Sequence, residues 1–168
     1  AELQQTIKSV KPWVEFGISP FGVWRNNNVD PRGSATRAGI QNYDDLYADI
    51  LKWLKEGIID YVAPQLYWEI GKSNADYSIL ADWWSKNSYN KNLYIGLAVY
   101  KLGSKPDGKE KSAKSWSKGN ELIRQLNENK KHHQIDGVMY FSAKNFLDNR
   151  LGLNDSLQNN YYKYPALC

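Results

Sequence analysis

Four short apolar runs constrain this chain more than anything else in it. They read "VEFGISPF" (14–21), "DYVAPQLYW" (60–68), "LYIGLAVY" (93–100) and "GVMYFSA" (137–143), and turn residues bound them. Runs of this length and character predict strands covered on both faces, the kind that parallel sheets use. The segments between them read as helices. The clearest is expected to start at Asn42 as N-cap, with Asp44 and Asp45 in its first turn. It places Tyr43, Leu46, Tyr47, Ile50, Leu51 and Leu54 on one stripe before Gly57 ends it. Shorter stripes predict helices over 77–84 and 120–129, a helix end over 3–10 and a last helix over 145–153. The aromatics on helix faces, Tyr47, Trp53, Trp83 and Trp84, are expected to pack against the sheet.

A helix followed by four strand and helix units implies an α/β fold with a parallel sheet and right-handed crossovers. Two architectures satisfy that order. A small doubly wound sheet would stand alone at this length. A closed eight-stranded barrel typically needs about 250 residues, so in a chain of 168 residues a barrel reading means half a barrel. With 42% hydrophobic and 24% charged residues, the chain reads as one domain over 1–168.

Composition also removes function classes. The net charge of +4 is carried by scattered Lys, densest over 101–118, without the basic stripe that nucleic acid requires. No apolar run reaches the roughly 18 residues of a membrane span. The single cysteine, Cys168, forms no intrachain disulfide and no thiolate metal cluster. With no metal-ligand spacing, no Gly-rich phosphate loop and no nucleophile elbow, neither a metal nor a cofactor is expected. His132 and His133, in "NENKKHHQID", approach the amino-terminal end of a strand and read as exposed. In the other direction, an aromatic share of 14%, with seven Trp and twelve Tyr, favours stacking against planar or sugar-like ligands.

Six segments taken together carry a resemblance. "FGISPFGVWRN" (16–26), "YDDLYAD" (43–49), "WLKEGIIDYVAPQLYWEIG" (53–71), "ADYSILADWW" (75–84), "LYIGLAVYKLG" (93–103) and "GVMYFSAKNF" (137–146) resemble the carboxyl-terminal half of the bacterial family-10 glycosyl-hydrolase-like proteins. The resemblance implies a TIM (β/α)8 barrel of which these are strands five to eight, a carbohydrate-active role, and an exported or surface-attached protein. It also implies that the favoured catalytic acids belong to an amino-terminal half that has no counterpart in this sequence. The chain is thus expected to be a fragment, inactive alone, that pairs with a second copy or with the missing half to cover the inner face of its sheet.

Within that expectation the strand ends are the place for the site. Glycoside hydrolysis usually needs two carboxyl groups across the bond, and Glu69 is the carboxylate nearest a strand end. Asp107 and Glu110 fall in a Lys-rich loop, and Asp148 lies past the last strand. Glu69 is therefore the candidate acid or partner carboxylate, with a loop glutamate as the plainer reading. Gln65, Tyr67 and Trp68 offer an amide and two stacking faces; alternation leaves open whether Gln65 with Tyr67, or Leu66 with Trp68, faces the site. Trp24, Arg25 and Asn26 precede a long polar loop over 26–39, where Arg25 either grips a ligand or pins the loop. Tyr100 and Lys101, and Ser142, end the last two strands. Two functions follow: a glycosidase-like domain acting on or binding carbohydrate, or a non-catalytic carbohydrate-binding or scaffold module.

Overall fold

The computed structural model describes residues 1–104, 113–117 and 120–164. Strands β1 (Gly17–Ile18), β2 (Tyr61–Val62), β3 (Asn92–Leu97) and β4 (Gly137–Tyr140) lie side by side in chain order, each pair parallel. A doubly wound sheet reverses its strand order at a switch point. This sheet shows no reversal among the described residues, and its sequential order is that of half a (β/α) barrel. Single bridges from Gln65 to Phe21 and to Gly96 extend the pairing past the short β1 and β2.

The helices are α1 (Glu2–Val10), α2 (Asn42–Leu46), α3 (Ile50–Lys55), α4 (Tyr77–Lys86), α5 (Ala113–Ser117), α6 (Glu121–Asn129), α7 (Lys144–Leu147) and α8 (Leu153–Asn160). None of the described helices is long and apolar enough to cross a membrane. Helix α4 starts where Asp76 accepts the Ser78 N–H at 2.8 Å, a side-chain cap for an orphan donor. It contributes Tyr77, Leu80, Ala81 and Trp84 to the core, where they join Val62, Leu93, Ile95 and Leu97 of the sheet. The opposite face of the sheet carries Tyr61 and Tyr94, edge to face with centroids 5.7 Å apart, and Met139, which is 41% exposed. Register pairs Tyr94 with Gly137 and Gly96 with Met139, so this second face alternates large side chains with glycine.

Two expected helices are divided. The stripe over 43–54 is broken at Tyr47, whose φ of 52° ends α2 and returns its N–H to Asn42 O. Helix α3 restarts with Asp49 accepting the Lys52 N–H. Asn42 is inside α2 rather than its cap, and its buried amide donates to Phe21 O at 2.8 Å and Val23 O at 2.9 Å. Tyr47 is 91% exposed, so it does not pack against the sheet, whereas Trp83 and Trp84 are buried in the core. The last helix is similarly interrupted. A positive φ at Asn149 and a 3-10 turn over Arg150–Gly152 separate α7 from α8, which then buries Leu153 and Leu157.

One close approach holds the upper edge of the sheet. A Cβ on Gly22 would stand 2.6 Å from Gln65 O and 2.7 Å from Cζ3 of Trp68, so only glycine lets the chain after β1 cross the loop after β2. The Gly22 carbonyl accepts the indole N–H of the fully buried Trp84 at 2.8 Å. Trp84→Phe removes that donor, strands a buried carbonyl and leaves a void, which together cost about 2–4 kcal/mol. Urea unfolding checks this, and a change below about 0.5 kcal/mol would show that Trp84 carries little of the packing.

Candidate functional site

The carboxyl ends of the last three strands gather three aromatic rings. Tyr67 follows β2, Tyr100 sits in the 3-10 turn after β3 and Phe141 follows β4. Tyr67 and Phe141 are stacked at 6.0 Å between centroids, and Tyr100 meets each of them edge-on, at 6.0 Å from Tyr67 and 6.1 Å from Phe141. Tyr100 is 41% and Phe141 is 56% exposed, so the cluster presents ring faces and a phenol to solvent. Burial raises the Tyr67 phenol pKa, with Tyr100 beside it adding to the effect, and burial raises that of Tyr100 as well. Both hydroxyls remain neutral and able to donate a hydrogen bond across the physiological range.

The alternation after β2 resolves on the side of Gln65 and Tyr67, because Leu66 is fully buried in the core. The Gln65 amide donates to Ser19 O at 3.1 Å, which ties the end of β2 to the end of β1. Trp68 turns the other way, over Gly22, and lines a cleft of about 280 Å³ with Phe21, Ile40 and Asn74. Glu69 is nearly buried: Trp116 Nε1 approaches its Oε2 at 3.4 Å, and Lys72 Nζ lies 3.8 Å from its Oε1. Lys101 donates to Tyr67 O at 2.6 Å and stands 5.7 Å from the Trp116 ring centroid. Ser142, joined to Phe141 by a cis peptide bond, uses its carbonyl to accept from Asn145 Nδ2 and N at 3.0 Å each. Asp107 and Glu110 lie outside the described residues.

Trp24, Arg25 and Asn26 make their contacts elsewhere. Trp24 is 1% exposed and stacks on Trp83 at 6.0 Å. Arg25 forks onto Asp44 at 2.7 and 2.8 Å, reaches Asp30 at 2.8 Å and lies 4.6 Å from the Tyr43 ring centroid. The Asn26 side chain accepts from Thr36 Oγ1 at 2.7 Å and from Ala38 N at 3.0 Å, and donates to Ala38 O at 2.9 Å. These bonds fold the 26–39 segment onto itself, which explains how a long loop keeps a single shape. His132 is half-buried, with Nδ1 3.4 Å from Ser85 Oγ, and His133 is exposed; both line a cleft at the amino-terminal end of β4, away from the strand ends that form the site.

Phe141 is the site residue that sequence reading passed over in favour of Ser142. Its signal was alternation: Met139 and Phe141 share the parity that leaves the core, whereas Tyr140 points back to Phe146 and Tyr162.

A parallel strand-and-helix half-barrel with aromatic rings collected at its strand ends places the molecule among proteins built on the (β/α) barrel plan. More narrowly, the chain belongs to the glycosyl hydrolase-like 10 family, whose sequence pattern matches residues 1–118. It is 50% identical over 168 residues to glycosyl hydrolase YngK of Bacillus subtilis (strain 168), a match covering 99% of this chain and 32% of that protein. It is 44% identical over 146 residues to glycosyl hydrolase DigH of Escherichia coli (strain K12), covering 84% of this chain and again 32% of the relative. The chain thus spans about a third of the length of these relatives.

Two carboxylates away from the aromatic cluster, Asp30 in the 26–39 loop and Asp60 just before β2, form an acid-sensitive lock. The Arg32 guanidinium and backbone N–H, with Arg25 adding to them, hold the Asp30 carboxyl well below the usual carboxylate range. At Asp60 burial works the other way, but the Phe16 N–H and the Lys8 ammonium outweigh it and lower the pKa. A folded-state pKa below the unfolded one, about 3.9 for Asp, contributes stability that is present above that pH and lost as pH falls through the folded value. The melting temperature is therefore expected to drop from pH 5 to pH 2, and Asp30→Asn to lower it at pH 7 while flattening the acid limb. Parallel acid limbs for the two proteins, recorded by circular dichroism, would exclude Asp30 from that dependence.

Proposed function

We propose that this chain forms one wall of a carbohydrate-binding cleft in a larger glycosyl-hydrolase-like protein, with the principal catalytic carboxylate supplied from outside residues 1–168. The observation that carries this reading is the Tyr67, Tyr100 and Phe141 cluster at the strand ends. A sugar ring has an apolar face that stacks on aromatic surface and a rim of hydroxyls that needs donors and acceptors. Phe141 offers the first, and Tyr100 offers both. Membership of the glycosyl hydrolase-like family supports the same reading. Glu69, two residues after Tyr67 in the same loop and held beside Trp116 and Lys72, is the carboxylate this chain would add to the chemistry. The setting of such a protein would be exported or at the cell surface.

The uncovered face of the sheet fits this arrangement. Tyr61, Tyr94 and Met139 line the side that faces the interior in a closed barrel, where another set of strands would bury them. Sedimentation of the 168-residue chain alone is expected to show association, and a stable dilute monomer would count against closure by a second set of strands.

The functional test uses the full-length protein and a panel of defined gluco-, manno-, xylo- and N-acetylglucosamine oligosaccharides. Phe141→Ala and Tyr100→Ala are each expected to weaken the best binder by about tenfold, the loss of one stacking face, without lowering the melting temperature by more than a few degrees. Unaltered affinity in both variants would refute the reading. Glu69→Gln is expected to lower kcat by at least about 100-fold if the carboxylate takes part in proton transfer. A wild-type kcat would assign Glu69 to holding the loop, and binding without turnover by the parent protein would favour a carbohydrate-binding module over an enzyme.

A further inference from the structure

We propose that Glu121 and Gln125 of α6 are positioning residues that, together with Lys101, hold the 67–70 loop so that Tyr67 is fixed in the aromatic surface. This rests on the carbohydrate reading above and extends it to side chains that touch no ligand.

The loop between β2 and α4 has little sheet to bond to, and three side chains from later elements take up its backbone groups in turn. Lys101 Nζ donates to Tyr67 O at 2.6 Å. Gln125 Nε2 donates to Trp68 O at 3.0 Å. Ile70 N–H donates to Glu121 Oε1 at 2.8 Å. The strap spans the residues that carry Tyr67, Trp68 and Glu69, and its donors and acceptor come from chain positions more than thirty residues later.

Packing alone does not explain why α6 spends two fully buried positions on polar side chains. Glu121 and Gln125 are each 0% exposed, beside Leu122 and Leu126, which already supply the apolar contact. Burying a carboxylate is costly unless it is paired and hydrogen-bonded, and a well-packed hydrophobic residue commonly does as well or better for stability. Here the carboxylate is fully engaged: Arg124 Nη1 donates to Oε2 at 2.7 Å, and Gln125 Nε2 reaches Oε1 at 3.1 Å. Spaced four apart, Glu121 and Gln125 stand on one side of the helix and form a two-point clamp on the loop. What such a pair provides is geometry. A ring held in place before ligand arrives loses less freedom on binding than one that must be ordered.

Hydrogen exchange and calorimetry on the full-length protein decide the matter, with Gln125→Met keeping the volume and Glu121→Gln keeping an acceptor for Ile70. In Gln125→Met, amides over 66–72 are expected to exchange about tenfold faster while those over 93–97 stay at wild-type rates. The best oligosaccharide of the panel is expected to bind about tenfold more weakly to that variant, and Glu121→Gln to stay nearer wild type in both readings. Wild-type exchange over 66–72 would overturn the proposal. So would faster exchange that spreads equally over 93–97, or a loosened loop with undiminished affinity. If the wild-type protein binds none of the panel, the carbohydrate reading falls and the positioning role with it, while the exchange contrast still decides whether α6 holds the loop.

Discussion

The crossing of the chain at Gly22 over the loop at 65–68 is the constraint on which the upper half of the molecule depends. Backbone meets backbone there at a distance that no side chain tolerates, and the indole of Trp84 closes the contact from below. Three consequences come from that one meeting. The end of β1 is locked to the end of β2, helix α4 is fixed in depth under both, and Trp68 is turned outward, leaving Tyr67 on the opposite side with Tyr100 and Phe141. The carbonyl of Gly22, with no strand to bond to, would be a defect if the indole N–H did not reach it.

Much of the scaffold was legible because it follows from short-range rules. Apolar runs such as 93–100 lack the polar alternation of a half-solvated strand, which points to a parallel sheet, and helical segments between such runs force parallel crossovers. The break at Tyr47 was not legible. The apolar stripe continues through Tyr47, and nothing in periodicity reports that this residue takes a left-handed backbone so that Asn42 can turn its amide toward Phe21 and Val23. A tertiary requirement overrode a local preference. The division at Asn149 and Gly152 is of another kind, because Asn and Gly are the residues that most readily take a left-handed backbone.

The candidate site was legible in location and less so in membership. Placing it at the strand ends needed only the topology. Choosing among its residues needed to know which polar side chains would find partners inside the protein, and that depends on elements distant in sequence. Arg25 has Asp30 and Asp44, and Asn26 has Thr36 and Ala38, so both satisfy their polar groups within the fold, while Trp24 is buried against Trp83 with its indole N–H unpaired among the described residues. Phe141, by contrast, has ring surface left over. A polar pair such as Glu121 and Gln125, on the buried side of a helix otherwise marked by Leu122 and Leu126, was a readable sign of a buried network, although its target was not.

The strict strand order has a consequence for how the molecule comes to exist. Among the described residues each strand after β1 pairs with the one made just before it, so a growing chain can lay each strand and helix unit onto a finished neighbour. Any further strand that kept this order would stand beside β4 or β1, a placement that the topology sets before any side chain has a part in the choice.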